Sequence, residues 1–250
     1  MAYNVLATSQ TPALIIYLLD VSGSMSTNLN GKPRIEVVTD ALSATLQQMV
    51  FRCTKGGQIS PRYRIAMYAY SDIVYDILGG VMTIDQVANL GVPELSTMRS
   101  TATDLAFEEV ERLLQQELPS LNDCPAPLVC HMTDGEYTGD DPEPIVRRIM
   151  RMSNADGNVL VENIFISDQL LDEPVTDIAN WQGVLPTTHL RNSYAKKLRS
   201  ISSPLPQSYR VMMLESGYTL SPDAVMMLPG MSPELVEMGF VMSMSTPIAQ

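Results

Sequence analysis

Residues 13–19 form an unbroken apolar run closed by Asp20. A run this short, with β-branched members, fits a strand buried on both faces. Residues 20–32 are rich in Ser, Asn and Gly and read as a loop. From Arg34 the period changes, and Ile35, Val38, Leu42, Thr45 and Met49 fall on one helical stripe. The order then recurs. Residues 63–70 and 73–78 read as strands, and the gap at Ser71 and Asp72 predicts a hairpin. Residues 104–118 read as a helix with Leu105, Val110, Leu113, Leu114 and Leu118 on its apolar face, stopped by Pro119. The pattern continues with a strand at 128–132, a helix at 144–152, a strand at 159–166, a helix at 193–201 and a strand at 209–214.

Strands alternating with helices predict an α/β fold. It is a doubly wound, mostly parallel six-stranded sheet with one antiparallel edge strand and helices on both faces, Rossmann-like in outline. Residues 1–215 are expected to make this domain. Residues 216–250 read as a C-terminal extension, because eight of the 17 methionines lie from Met212 onward. In it, Ser221-Pro222-Asp223 and Ser232-Pro233-Glu234 each supply a Ser cap with Pro at the first helical position. They predict two short helices, over 221–228 and 232–238, packed on the domain. Core packing is the simpler reading of the methionines, and an adaptable partner surface is the other.

Composition narrows the function. The chain is 45% hydrophobic and 18% charged, which argues for a packed core over disorder. Its formal net charge of −12 repels phosphate backbones and anionic lipid heads, so neither nucleic acid nor a membrane is an expected partner. Arg147, Arg148 and Arg151 cluster, but on one helix they read as a solvated face. Cys53, Cys124 and Cys130 are odd in number and lack Cys-x-x-Cys spacing, so neither a disulfide framework nor a zinc site is expected. No secretion signal and no long apolar span is evident, and a cytoplasmic location is the default.

The candidate chemistry lies at the ends of the predicted strands. Asp20-x-Ser22-x-Ser24 follows the first strand, with Gly23 permitting a tight turn. A carboxylate and two hydroxyls brought together suit a hard divalent cation. Alone, the pentapeptide fits an ordinary turn equally well. Thr101 precedes the helix at 104–118, where Thr103 would suffice as the cap. Asp134-Gly135 follows the strand at 128–132, and by itself is an ordinary strand-ending turn. All three segments fall on one predicted sheet edge, where ligands bind in open α/β sheets.

Taken together, Asp20-x-Ser22-x-Ser24, Thr101 and Asp134-Gly135 resemble the metal-ion-dependent adhesion site of von Willebrand factor A (VWA) domains. The segments at 17–25, 64–71 and 101–107 resemble that family's first strand with metal loop, second strand and Thr-containing turn, and the resemblance covers about residues 12–215. Arg99-Ser100 stands where the family usually has a Gly pair, and Asp104 where Gly is common. The resemblance implies a Mg²⁺ or Mn²⁺ ion bound directly by Ser22, Ser24 and Thr101, and mostly through water by Asp20 and Asp134. It implies one open coordination position for an Asp or Glu carboxylate of a partner protein. Met25, Glu136 and Tyr137 would form the partner-binding rim, unless they serve loop packing. The missing signal and disulfides point to the intracellular bacterial members, and the extension to the set linked to tellurite resistance and kinase–phosphatase systems.

An enzyme is the rival class. A Mg²⁺-dependent phosphatase of the haloacid-dehalogenase type needs a second carboxylate two residues after its Asp, where this chain has Ser22. Gly139-Asp140-Asp141 supplies acidic residues, but a turn explains them. A serine hydrolase lacks its Gly-x-Ser-x-Gly elbow, and His131 and His189 read as a buried and a loop histidine. Metal-independent binding through the Met-rich segment is the remaining alternative.

Overall fold

The computed structural model describes residues 3–91, 94–98, 100–168 and 170–249. Arg99, singled out in the sequence beside Ser100, lies outside them. In chain order the main sheet comprises β1 (Ala13–Asp20), β2 (Tyr63–Tyr70), β3 (Val74–Asp76), β4 (Met82–Thr83), β5 (Leu128–Thr133), β6 (Leu160–Ile166) and β7 (Met227–Gly230). The helices are α1 (Arg34–Cys53), α2 (Ile84–Leu90), α3 (Thr103–Glu117), α4 (Glu143–Ile149), α5 (Ser193–Ser200), α6 (Gln207–Glu215) and α7 (Pro233–Ser243).

The strand order is β7-β6-β5-β1-β2-β3, with β4 also paired to β2. From β7 to β2 the pairing is parallel, and β3 and β4 are antiparallel on the outer edge of β2. The α/β, doubly wound architecture is as expected, with seven strands instead of six. β1 is apolar up to Asp20, yet its residues still divide by the two-residue pleat. Ala13, Ile15, Tyr17 and Leu19 join a core shared with α1, α2, α6 and α7, while Leu14, Ile16 and Leu18 join one shared with α3, α4 and α5.

Two of the elements read from the sequence change type. Residues 209–214, expected as a strand, lie in α6. There Tyr209 and Met213, four apart, are buried, while Val211 and Leu214 face outward. The β-branched and aromatic content suggested a strand, but burial follows the helical period. Residues 221–228, expected as a helix, make one turn at Ser221 and then run into β7. A single turn is a costly nucleus that needs continuation, and here the chain is drawn into pairing with β6 instead. Pro229 is tolerated because β7 is an edge strand.

The segment from 216 to 249 therefore completes the sheet rather than decorating it. α7, capped by Ser232 as the sequence suggested, is longer than expected and packs on α1. Six of the eight late methionines, Met213, Met226, Met227, Met238, Met242 and Met244, are buried. Tyr17 Oη and Ser243 Oγ hydrogen-bond at 2.9 Å, and Arg52 Nη1 donates to the Met244 carbonyl at 2.7 Å. Cutting the chain at Ser216 would strip a strand and a core helix.

α7 approaches the sheet through Gly239. A Cβ there would sit 2.6 Å from Ile164 Cδ1. Below it, β6 carries Glu162, fully buried, with no nitrogen or oxygen partner for its carboxyl among the described residues. Burial pushes this carboxyl well above its usual range, and the Cys130 thiol lies beside it.

Both positions can be tested by substitution. Gly239→Ala should cost about 1–3 kcal/mol in urea unfolding, because Ile164 must move aside. Glu162→Met should raise the thermal midpoint, and more at pH 8 than at pH 5. The folded carboxyl keeps its proton where the unfolded one, with an ordinary value of 4.5, has lost it, so native stability drains as pH rises above that value.

Candidate functional site

After β1 the chain crosses to β2 on one side, and later returns to β5 on the other. Loops leaving the C-terminal ends of β1 and β5 diverge and open a crevice between them, the usual ligand position in such sheets. Asp20 ends β1, and Asp134 follows β5 directly; the neighbouring register pair is Leu19 with Met132.

Asp20 is fully buried. Its Oδ1 accepts from the Ser22 backbone N–H at 2.8 Å, and its Oδ2 accepts from Thr133 Oγ1 at 2.6 Å. Burial pushes its carboxyl up to about 6; the hydrogen bonds of Thr133 and Ser22 oppose this, and the charge of Asp134 adds to it. Ser24 Oγ donates to Asp134 Oδ1 at 2.6 Å and lies 3.0 Å from Ser22 Oγ. A carboxylate only accepts, so the single Ser24 proton goes to Asp134 and Ser22 is the donor to Ser24. The side chain of Asp134 has no exposed surface, and its Oδ2 accepts from Arg34 Nη1 at 2.9 Å.

The segment carrying Thr101 is tied to the same crevice. Ala102 N–H donates to the Ser71 carbonyl at the end of β2, and Thr138 N–H donates to the Thr101 carbonyl from the loop beyond Asp134. Thr101 is buried, but its hydroxyl is not part of the bonded run through Ser22, Ser24 and Asp134. Thr103 is not the cap of α3. That position falls to Ala102, and Thr103 Oγ1 is buried without a hydrogen-bond partner among the described residues. The structure thus joins Asp20, Ser22, Ser24 and Asp134 directly, with Thr101 on an adjoining wall.

The expected rim needs one correction. Met25 is fully buried, in a 3₁₀ turn (Gly23–Ser26) whose apolar side chain turns into the core, so it offers no recognition surface. Glu136 is exposed. Tyr137 is half-buried, with its ring tilted against Tyr194 and beneath the Lys197 ammonium. These residues and Ser193 line an open groove of about 290 Å³ beside the crevice. A somewhat larger apolar groove, lined by Leu46, Val50, Ile84 and Val87 between α1 and α2, includes no site residue.

Sequence reasoning missed two participants. Thr133 was read only as part of the segment after the strand at 128–132, although it closes β5 and its hydroxyl reaches Asp20 in the crevice. Arg34 left no signal, being 100 positions from its partner Asp134.

Behind the crevice a buried relay fixes the sheet's polar interior. Tyr70 Oη lies 2.7 Å from His131 Nε2, and His131 Nδ1 lies 2.8 Å from Asn163 Oδ1. Asn163 Nδ2 donates to Ser202 Oγ, which donates to the Leu198 carbonyl. Because the amide oxygen accepts, Nδ1 carries the proton and Nε2 accepts from Tyr70. Burial lowers the His131 value to about 4. His189 is exposed and paired with Asp172.

The donor set fits a hard cation. Two carboxylates and the Ser hydroxyls converge, all oxygen, as Mg²⁺ or Mn²⁺ prefers. No cluster of three His, Cys, Asp or Glu side chains able to hold an ion occurs among the described residues, so the hydroxyls would be essential to coordination.

No family model matches the sequence. A search of curated proteins finds no match either. Among solved structures, the fold is shared with the PilB minor pilin from Streptococcus sanguinis, at 10% identity and a TM-score of 0.51, over 92% of this chain and 60% of that one. It is shared with the pilus adhesin SpaC from Lactobacillus rhamnosus GG, at 12% identity and a TM-score of 0.55, over 91% and 29%. A more distant likeness, with a TM-score of 0.43 and 17% identity over 65% and 37%, is to proximal thread matrix protein 1 from the mussel byssus, described with a zinc-occupied MIDAS motif. That last resemblance is too slight to inform this chain. In each case this chain spans less than two thirds of the other protein's length.

The relay yields a pH signature. As pH falls below 6.5 the unfolded His131 takes up a proton that the folded one refuses until about 4, so stability drops across that window. Urea midpoints of the wild type should fall between pH 6.5 and pH 4 by more than those of His131→Gln. The difference is about 3 kcal/mol from the shift alone.

Proposed function

We propose that this chain is a protein-binding module rather than an enzyme, holding one Mg²⁺ or Mn²⁺ at Asp20, Ser22, Ser24, Thr101 and Asp134 to take an Asp or Glu side chain of a partner protein. The observation that carries this reading is the bonded run through Ser22, Ser24 and Asp134 in the crevice between β1 and β5, with the Asp20 carboxylate alongside. Ser22, Ser24, Asp134 and Asp20 are among the residues that the adhesion-site pattern, which the sequence resembles, would use.

The division of labour follows from the side chains. Ser22, Ser24 and Thr101 offer neutral hydroxyl oxygens, while Asp20 and Asp134 balance charge from buried positions. An ion held chiefly by neutral oxygens keeps the Lewis-acid strength that attracts an external carboxylate. Glu136 and Tyr137 flank the approach, and Lys197 orients the Tyr137 ring through its contacts with that ring and with Asp141.

Binding over catalysis is supported by the histidines. Both nitrogens of His131 are engaged in the relay, and His189 pairs with Asp172 at an exposed loop, so neither is poised beside a nucleophile. SpaC, which shares the fold, is a pilus adhesin. An intracellular bacterial setting completes the proposal. It is supported by Cys53, Cys124 and Cys130, which are buried and unpaired.

Calorimetric titration of metal-stripped protein with Mg²⁺ and Mn²⁺ tests the reading. The wild type should show one saturable site and a raised thermal midpoint, and Ser22→Ala with Ser24→Ala should lose both. Wild-type behaviour in the double variant would place the ion elsewhere. No response to either ion would refute metal dependence.

A further inference from the structure

We propose that Arg34 sets the affinity of this site for its cation, as a resident positive charge that competes for Asp134 and withdraws toward Asp168 when an ion binds. The inference rests on the metal-binding reading of the crevice. It concerns a full charge, that of Arg34, which faces the crevice and which that reading leaves unused.

Arg34 is delivered to the site by local geometry. Asn30 and Gly31 both have positive φ, 52° and 90°, the signature of a two-residue hairpin turn with Asn-Gly at its tip. The turn folds Lys32–Pro33 back against Asn28–Leu29, and the Arg34 N–H then donates to the Thr27 carbonyl at 2.9 Å. Arg34 therefore begins α1 directly over the loop that carries Ser22 and Ser24.

The guanidinium there replaces what a cation would otherwise supply. Asp134 has no exposed side-chain surface, and an unpaired carboxylate so placed would be costly. Ser24 satisfies its Oδ1 and Arg34 its Oδ2, so Asp134 is already paired without an ion. Guanidinium groups carry a permanent positive charge. A divalent ion among Ser22, Ser24 and Asp134 would meet that charge at close range in a poorly screened setting.

The structure also supplies a place for the guanidinium to go. Its Nη2 lies 4.0 Å from Asp168 Oδ2, a mostly exposed carboxylate just beyond β6, and its buried Nε has no partner among the described residues. A short swing of one side chain would exchange Asp134 for Asp168. The exchange would free an Asp134 oxygen and move a positive charge away from the ion.

Mn²⁺ titration of the metal-stripped protein, with metal-free thermal midpoints in parallel, tests this. Arg34→Gln, and Arg34→Met as a second neutral variant that keeps the stem, should bind Mn²⁺ about tenfold or more tighter. Both should melt lower than wild type without metal. Asp168→Asn should weaken Mn²⁺ binding in the wild type and have no further effect in Arg34→Gln, which separates a withdrawal site from a plain nearby charge. Neutral variants that bind Mn²⁺ within about twofold of wild type, or more weakly, would overturn the proposal while leaving the metal site standing. Binding by the neutral variants alone would uphold it and refute metal dependence of the wild type. Binding by none would sink both. Should neither neutral variant fold, Mn²⁺ affinity unchanged in Asp168→Asn overturns the proposal, and weakened affinity supports it.

Discussion

A strand with no exposed residue must satisfy its backbone wholly through its neighbours, and β1 does so with β2 on one side and β5 on the other. The rest of the molecule is arranged around that requirement. Both faces of β1 must be covered, which calls for the helix layer of α1, α2, α6 and α7 and the opposing layer of α3, α4 and α5. The flanking strands are reached by opposite excursions of the chain, so the loops at their ends part. The crevice is thus a by-product of how a buried central strand is enclosed.

The crevice has an electrostatic problem at its floor. Two carboxylates, Asp20 and Asp134, are buried within influence of each other. Each is met differently. Asp20 receives hydrogen bonds from neutral donors and is shifted toward its protonated form. Asp134 receives a hydroxyl and a guanidinium, and so is paired. The two carboxylates are thus settled by different means, one by neutral donors and the other by a neutral donor and a guanidinium.

Most of the architecture was readable from hydrophobic period alone. The runs at 13–19, 63–70 and 159–166 read as strands, and the stripe from Ile35 to Met49 as a helix, as the structure has them. The pattern misleads where local signal and tertiary demand disagree. Tyr209 to Leu214 looks like a strand by residue type, yet its burial is helical; Ser221-Pro222-Asp223 starts a turn correctly, but the sheet edge claims the residues after it. α2 was overlooked although Thr83 and Gln86 spell out its capping box. At the site, the oxygen donors were legible because they cluster in short motifs at strand ends. Arg34 was not, because its role depends on where an Asn-Gly hairpin aims the next residues. Met25 shows the converse error, since sequence adjacency to Ser24 says nothing about which way a side chain turns.

The long excursion between β6 and β7 bears on how the molecule assembles. β1 finds β2 within the first part of the chain, whereas Ile166 must wait for Met227 to Gly230, across α5 and α6, before its outer edge is paired. Contacts of that sequence separation form late, because loop-closure entropy must be met before pairing rewards it. Until then the β6 edge, with Ile164 uncovered by Gly239, is an open apolar template, the kind of surface on which partly folded chains associate. The same late segment that completes the native sheet is therefore also the one whose delay would most expose the protein to self-association.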